Sequence, residues 1–142
     1  MHRVNSNYLF VYSSLLKGFR TPEYEYVSRY FDFVGEAKTK GVLSILDHII
    51  AGTPTEDDRY IKGELYKIRE DELFSFAIGQ LDEYEGVQPE PPLQPLYKRD
   101  VCIATTPDNQ QFTAWVYWYT GDVTGCNTIE SGDMLMFLKE KQ

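Results

Sequence analysis

The sequence predicts a single α+β domain spanning residues 1–142, a mixed sheet flanked by a few helices. Three observations carry this reading. The length of 142 residues suits one domain. Strand-like runs of β-branched and aromatic residues recur along the chain around one strongly periodic helical segment. The regular strand–helix–strand rhythm of a doubly wound sheet is missing. With 42% hydrophobic and 15% aromatic residues, the chain has enough apolar surface to bury a core.

Tyr8-Leu9-Phe10-Val11-Tyr12 is continuous and β-prone, the pattern of a buried strand. Ser13-Ser14 breaks it, and Leu15-Leu16-Lys17-Gly18 places a turn just beyond. Thr21-Pro22-Glu23 reads as a helix start, with a capping hydroxyl, Pro at the first position and an acid in the first turn. That helix carries Tyr24, Val27 and Phe31 on one face. Residues 31–37 drift into strand character, and residues 41–46 form a further strand candidate. Between Asp47 and Asp58, Gly52, Pro54 and a polar cluster predict an irregular connection.

Residues 60–68 alternate as a strand, with Gly63 marking a close backbone approach or a bulge. Leu73, Phe74, Ala77, Ile78 and Leu81 then recur at helical spacing behind Glu70-Asp71-Glu72. Gly86 supplies the stop. Four prolines between Gln88 and Pro95 stiffen an extended loop. Residues 97–105 alternate, Pro107-Asp108-Asn109 turns the chain, and residues 111–119 return as an aromatic-rich strand, which predicts a hairpin. Residues 133–139 predict a short closing helix.

Fourteen basic against twenty-two acidic residues leave a net charge of -8. No basic stripe is present to neutralise phosphates, so no nucleic-acid partner is expected. A small anion remains admissible, because a few backbone N–H groups can hold one. Two cysteines, Cys102 and Cys126, are too few for a disulfide scaffold and lack metal-ligand spacing. No apolar run approaches the roughly twenty residues of a membrane span, and the first residues carry no signal-peptide pattern. Together these predict a cytoplasmic protein without a membrane partner.

The two histidines, His2 and His48, have no catalytic company, and no nucleophile, zinc or phosphate-loop motif occurs. Neither a metal nor a cofactor is expected. Eleven tyrosines suit half-buried surfaces, so any single one is read first as packing. Two features are sharper. The hydroxyl-rich turn Ser13-Ser14 directly after a buried strand can aim N–H groups at a carboxylate, although an ordinary polar turn has the same composition. At the end of the best helix, Leu81-Asp82-Glu83-Tyr84-Glu85-Gly86 places Glu85 beside the apolar face, at i+4 from Leu81. The negative end of the helix dipole disfavours its charged form, and a dry pocket would add to this, as a general base working near neutrality requires. A solvated acidic helix end is the common fate of such a run.

Val11-Tyr12-Ser13-Ser14-Leu15-Leu16-Lys17-Gly18 resembles the Tyr-Gly-Ser/Thr-Leu substrate loop of the γ-glutamylcyclotransferase-like proteins, which include the AIG2-like and γ-glutamylamine cyclotransferase-like proteins. Gly35-Glu36-Ala37, Gly63-Glu64-Leu65-Tyr66, Leu81 to Gly86, Tyr97-Lys98-Arg99, Ala114-Trp115-Val116-Tyr117 and Ser131-Gly132-Asp133 match in order, so the resemblance covers nearly the whole chain. It implies a mixed β-barrel flanked by helices, with a cavity at its mouth. It further implies Glu85 as the catalytic acid/base, Tyr12, Ser13, Ser14 and Leu15 as the substrate loop acting through main-chain groups, and Tyr97 as a tyrosine approaching the substrate.

The implied reaction uses a small γ-glutamyl substrate and no cofactor. The α-amine attacks the γ-carbonyl, giving 5-oxoproline and a free amine. Glutathione-derived, peptide-lysine-derived and antibiotic-intermediate amides share the glutamyl half, so the leaving amine stays open, as does the oligomeric state. Ser13 stands where the family has Gly; the added Cβ either narrows the pocket or leaves the fold intact and adds a hydroxyl that changes selectivity. That departure supports one alternative on the same fold, a ligand-binding module without catalysis; a further alternative is an interaction domain whose aromatic hairpin, with Trp115, Trp118 and Tyr119, packs on a partner.

Overall fold

The computed structural model describes residues 6–12, 29–46, 50–85 and 97–133. Its strands are β1 (Tyr8–Val11), β2 (Phe31–Ile45), β3 (Ile50–Pro54), β4 (Tyr60–Ile68), β5 (Tyr97–Thr105), β6 (Gln111–Tyr119) and the short β7 (Asn127–Thr128). A 3-10 turn, Asp71–Leu73, leads into the helix α1 (Phe74–Glu85). Neighbouring strands run β3-β2-β4-β1-β6-β5, and the pair Lys38↔Thr105 joins β2 to β5. Five strands thereby close into a small mixed barrel, with β3 and β7 added on the far half of β2.

β1 sits inside the sheet, antiparallel to β4 and parallel to β6, and is buried on both faces. A strand in that position reads as an unbroken apolar run, because neither face meets water. Leu9 and Val11 point toward α1, in a cluster with Phe31, Tyr66, Ile78, Leu81 and Tyr117. Phe10 and Tyr12 point into the barrel, in a second cluster with Leu43, Ile61, Leu65, Val116 and Trp118. Two cores thus share one wall. Each fully buried large apolar side chain contributes about 1.5–3 kcal/mol relative to exposure.

The hairpin of β5 and β6 has the expected bounds, with Tyr97↔Tyr119 at one end and Thr105↔Gln111 at the other. Asn109 takes a positive φ of 66° in its turn, a conformation Asn tolerates well. β4 also has the expected bounds, although its alternation gives way to continuous burial at Glu64, Leu65 and Tyr66. Gly63 makes the predicted close approach: a Cβ there would collide with the Val11 carbonyl and press on the Phe10 ring.

Several expectations are corrected. Phe31 begins β2 rather than completing a helical face, and β2 is one fifteen-residue strand instead of two. It accommodates a register shift between Phe33 and Gly35, then passes from β4 to β3 as its partner near Gly41. The supposed irregular connection contains β3, whose Gly52 lies against the Tyr12 ring where no Cβ fits. Leu73 belongs to the 3-10 turn and is exposed, so α1 buries Ala77, Ile78 and Leu81 with Phe74 at their edge. The expected helix start at Thr21, Gly86, the proline-rich loop and residues 134–139 lie outside the described residues.

Gly63→Ala should lower stability by about 1–3 kcal/mol, because the added methyl forces β1 and β4 apart where both cores meet. Urea denaturation measures it, and an unchanged midpoint contradicts the close approach.

Candidate active site

β1 ends at Val11 and α1 ends at Glu85, and both ends grow out of one core cluster that contains Val11, Leu81 and Tyr117. Tyr97, the first residue of β5, packs half-buried against the same cluster and meets Tyr119 edge-on at 5.8 Å. Ser13, Ser14 and Leu15 lie outside the described residues, and at Glu83, Tyr84 and Glu85 the described structure is the helical backbone. Tyr12 is 5% exposed, with its ring in the barrel interior beside Phe10 and Trp118. Its hydroxyl donates to the Tyr117 carbonyl at 2.5 Å. A ligand-binding role for Tyr12 therefore rests on its main chain.

The sequence reading missed the residue that docks the helix. Asp82 Oδ1 accepts from Arg99 Nε at 2.8 Å and from the Tyr117 hydroxyl at 2.8 Å. Arg99 also lies over the Trp115 ring, 4.6 Å from its centroid. The last turn of α1 carries no basic residue of its own, so its carbonyl ends and the Asp82 carboxylate concentrate negative charge. Arg99, supplied from β5, offsets both. The side chains of Arg99 and Asp82 are only 25% and 21% exposed, which makes the ion pair stronger than an open surface one. Both residues stood in the segments quoted above, but a polar pair 17 residues apart leaves no periodic trace.

A second carboxylate sits nearby. Glu64 pairs in register with Val11 across β4 and β1, is 6% exposed, and accepts the Tyr66 hydroxyl at 3.0 Å. It borders a cavity of about 410 Å³ that Glu36, Lys38, Lys62, Thr106 and Asp133 also line. Among the described residues no group of three or more His, Cys, Asp or Glu side chains converges as a metal site. His2 and His48 lie outside the described residues.

Cys102 and Cys126 are free thiols. Cys102 lies against the barrel core, and burial pushes its pKa up to about 11 despite an opposing hydrogen bond with Thr39. Exposed Asp122 is held below its ordinary value, chiefly by the Thr124 side-chain hydrogen bond and then by the Thr124 N–H.

A family model described as gamma-glutamyl cyclotransferase, AIG2-like, matches residues 9–135. The chain belongs to this family.

Solved structures agree with that membership at the level of fold. YkqA from Bacillus subtilis is similar with a TM-score of 0.66 at 22% identity; the match covers 97% of this chain and 44% of YkqA, so the chain spans less than half of that relative. An AIG2-like protein from Mus musculus has a TM-score of 0.62 at 20% identity, covering 87% of this chain and 86% of its own. A gamma-glutamyl cyclotransferase has a TM-score of 0.58 at 17% identity, covering 87% of this chain and 70% of its own. No curated protein matches the chain.

Two outcomes follow from these contacts. Arg99→Leu leaves the Asp82 carboxylate half-buried without its cation and should reduce stability by about 1–3 kcal/mol in urea melts; a change within about 0.5 kcal/mol contradicts the docking role. Cys102 should stay protonated well above neutrality, so at pH 8 a thiolate-selective reagent labels it slowly when folded and readily after unfolding. Its folded pKa is raised above the ordinary 9.0, so its contribution to stability is complete below about pH 9 and is lost as the pH climbs toward 11. Rapid labelling of folded Cys102 at pH 8, read by mass spectrometry of its peptide, is the contrary result.

Proposed function

We propose that the protein is a γ-glutamyl cyclotransferase, converting a γ-glutamyl amide, amine or peptide into 5-oxoproline and a free amine. Family membership supports the reaction class. The observation that carries the residue-level reading is the common origin of the β1 end and the α1 end in one core cluster, with Tyr97 packed against it. The main chain following Val11 and the carboxylate at the end of α1 are thereby the natural pair to hold and to deprotonate one small substrate.

The chemistry needs little beyond these groups. The substrate carries its own nucleophile, so the protein has only to hold the rotamer in which the α-amine faces the γ-carbonyl carbon. Glu85 takes the proton that the α-nitrogen sheds as the ring closes. The new C–N bond forms, the tetrahedral carbon collapses, and the old C–N bond breaks. Glu85 returns the proton to the departing amine, so it ends as it began. Main-chain N–H groups of Ser13, Ser14 and Leu15 hold the glutamyl carboxylate or steady the developing oxyanion. Tyr97 closes the side of the pocket toward β5.

The test is release of 5-oxoproline, followed by mass spectrometry, from a panel of γ-glutamyl amino acids, γ-glutamyl amines and glutathione. Wild type should release it. Glu85→Gln keeps the size of the side chain, and it should lose at least about a hundredfold in kcat while melting normally. Full activity in Glu85→Gln removes Glu85 from the mechanism. Silence of the folded wild type across the panel overturns the enzymatic reading and leaves a ligand-binding module, with Ser13 the first residue to restore to Gly.

A further inference from the structure

Tyr117 makes two long-range hydrogen bonds in opposite directions. Its carbonyl accepts from the hydroxyl of Tyr12, the one described residue of the four that resemble the family's substrate loop. Its own hydroxyl donates to Asp82, three residues before the end of α1. The residue is 5% exposed, and its ring belongs to the cluster that holds Val11 and Leu81. It is fixed in β6 by pairing with Arg99 in the β5–β6 ladder, and Arg99 completes the hold on Asp82. In the sequence Tyr117 is one residue of an aromatic-rich strand and of the matching segment Ala114-Trp115-Val116-Tyr117.

We infer that Tyr117 is a positioning residue that fixes Tyr12, just past the end of β1, relative to the Asp82 turn of α1, which runs on to Glu85; this inference rests on the cyclotransferase reading proposed above. Two segments distant in sequence must meet across one small substrate. Tyr12, just past the end of β1, and the Asp82 turn of α1 are each hydrogen-bonded to the same buried strand residue, so Tyr117 ties the two ends together, with Arg99 adding a second hold on Asp82. A loop and a helix end held by unrelated anchors would drift independently. An intramolecular cyclisation is sensitive to such drift, because misplacement by about 1 Å can cost about a hundredfold in rate.

The two anchors separate by mutation. Tyr117→Phe removes the hydroxyl that meets Asp82 while keeping the ring in the core and the carbonyl that Tyr12 uses. Tyr12→Phe removes the other arm alone. Tyr117→Phe should lower kcat about ten- to a hundredfold with KM little changed. Tyr12→Phe should act mainly by raising KM. Amide hydrogen exchange gives a readout that does not depend on turnover: in Tyr117→Phe, residues 81–85 should exchange faster while residues 74–78 stay as in wild type. An unchanged exchange pattern at 81–85 overturns the inference whatever the kinetics. Equal losses in kcat and stability with uniformly faster exchange along α1 also overturn it, since they mark a general packing role. A wild type that releases no 5-oxoproline refutes the cyclotransferase reading, and local loosening of 81–85 then still upholds the coupling of helix end to β6.

Discussion

The fold depends on β1 serving two cores at once. Leu9 and Val11 are buried against α1, Phe10 and Tyr12 inside the barrel, and neither set has room to slip. A shift of one residue would exchange the two faces and place each side chain in the wrong core. The close contact of Gly63 with the Val11 carbonyl locks the same register from the neighbouring strand. Because β1 is held so firmly, the chain leaves it at one defined point, and that point begins the segment that resembles the family's substrate loop.

The second constraint is electrostatic. The end of α1 combines the negative pole of a helix with a run of acidic residues, Asp82, Glu83 and Glu85, and has no basic residue in its last turn. Left in water, such an end would fray. Packing it against the sheet requires a cation from elsewhere, and Arg99 provides one, with its guanidinium over the Trp115 ring. Arginine suits this place better than lysine, since its planar guanidinium stacks on an aromatic ring while donating to a carboxylate. Asp82 is therefore the acid that Arg99 pairs with at this end of the helix.

How much of this was legible follows from which forces leave a pattern. β4 and β5 alternate in sequence, and β6 is rich in aromatic residues between clear turn signals, so their bounds were readable to the residue. β1 was readable because burial on both faces makes an unbroken apolar run. β2 was divided at Gly41, because glycine reads as a break, whereas here the strand simply changes partner. β3 was hidden by Gly52 and Pro54: the first is small to accommodate the Tyr12 ring, and the second ends the strand. Of the residues proposed for the site, Glu85 stood out by its place at the end of the helix and Tyr97 through the family resemblance. Asp82, Arg99 and Tyr117 did not, because a hydrogen bond between distant polar atoms has no period and no local composition. The Tyr12 ring faces the barrel interior, as strand alternation dictates, so the role the resemblance implies for Tyr12 runs through its main chain.

The most direct test of the account is a crystal structure of the protein with 5-oxoproline bound. The account predicts the ring between the main chain of Ser13, Ser14 and Leu15 and the Glu85 carboxylate, with Tyr97 at its side. Binding instead in the cavity lined by Lys38, Lys62 and Glu64, with Glu85 out of reach, would contradict it.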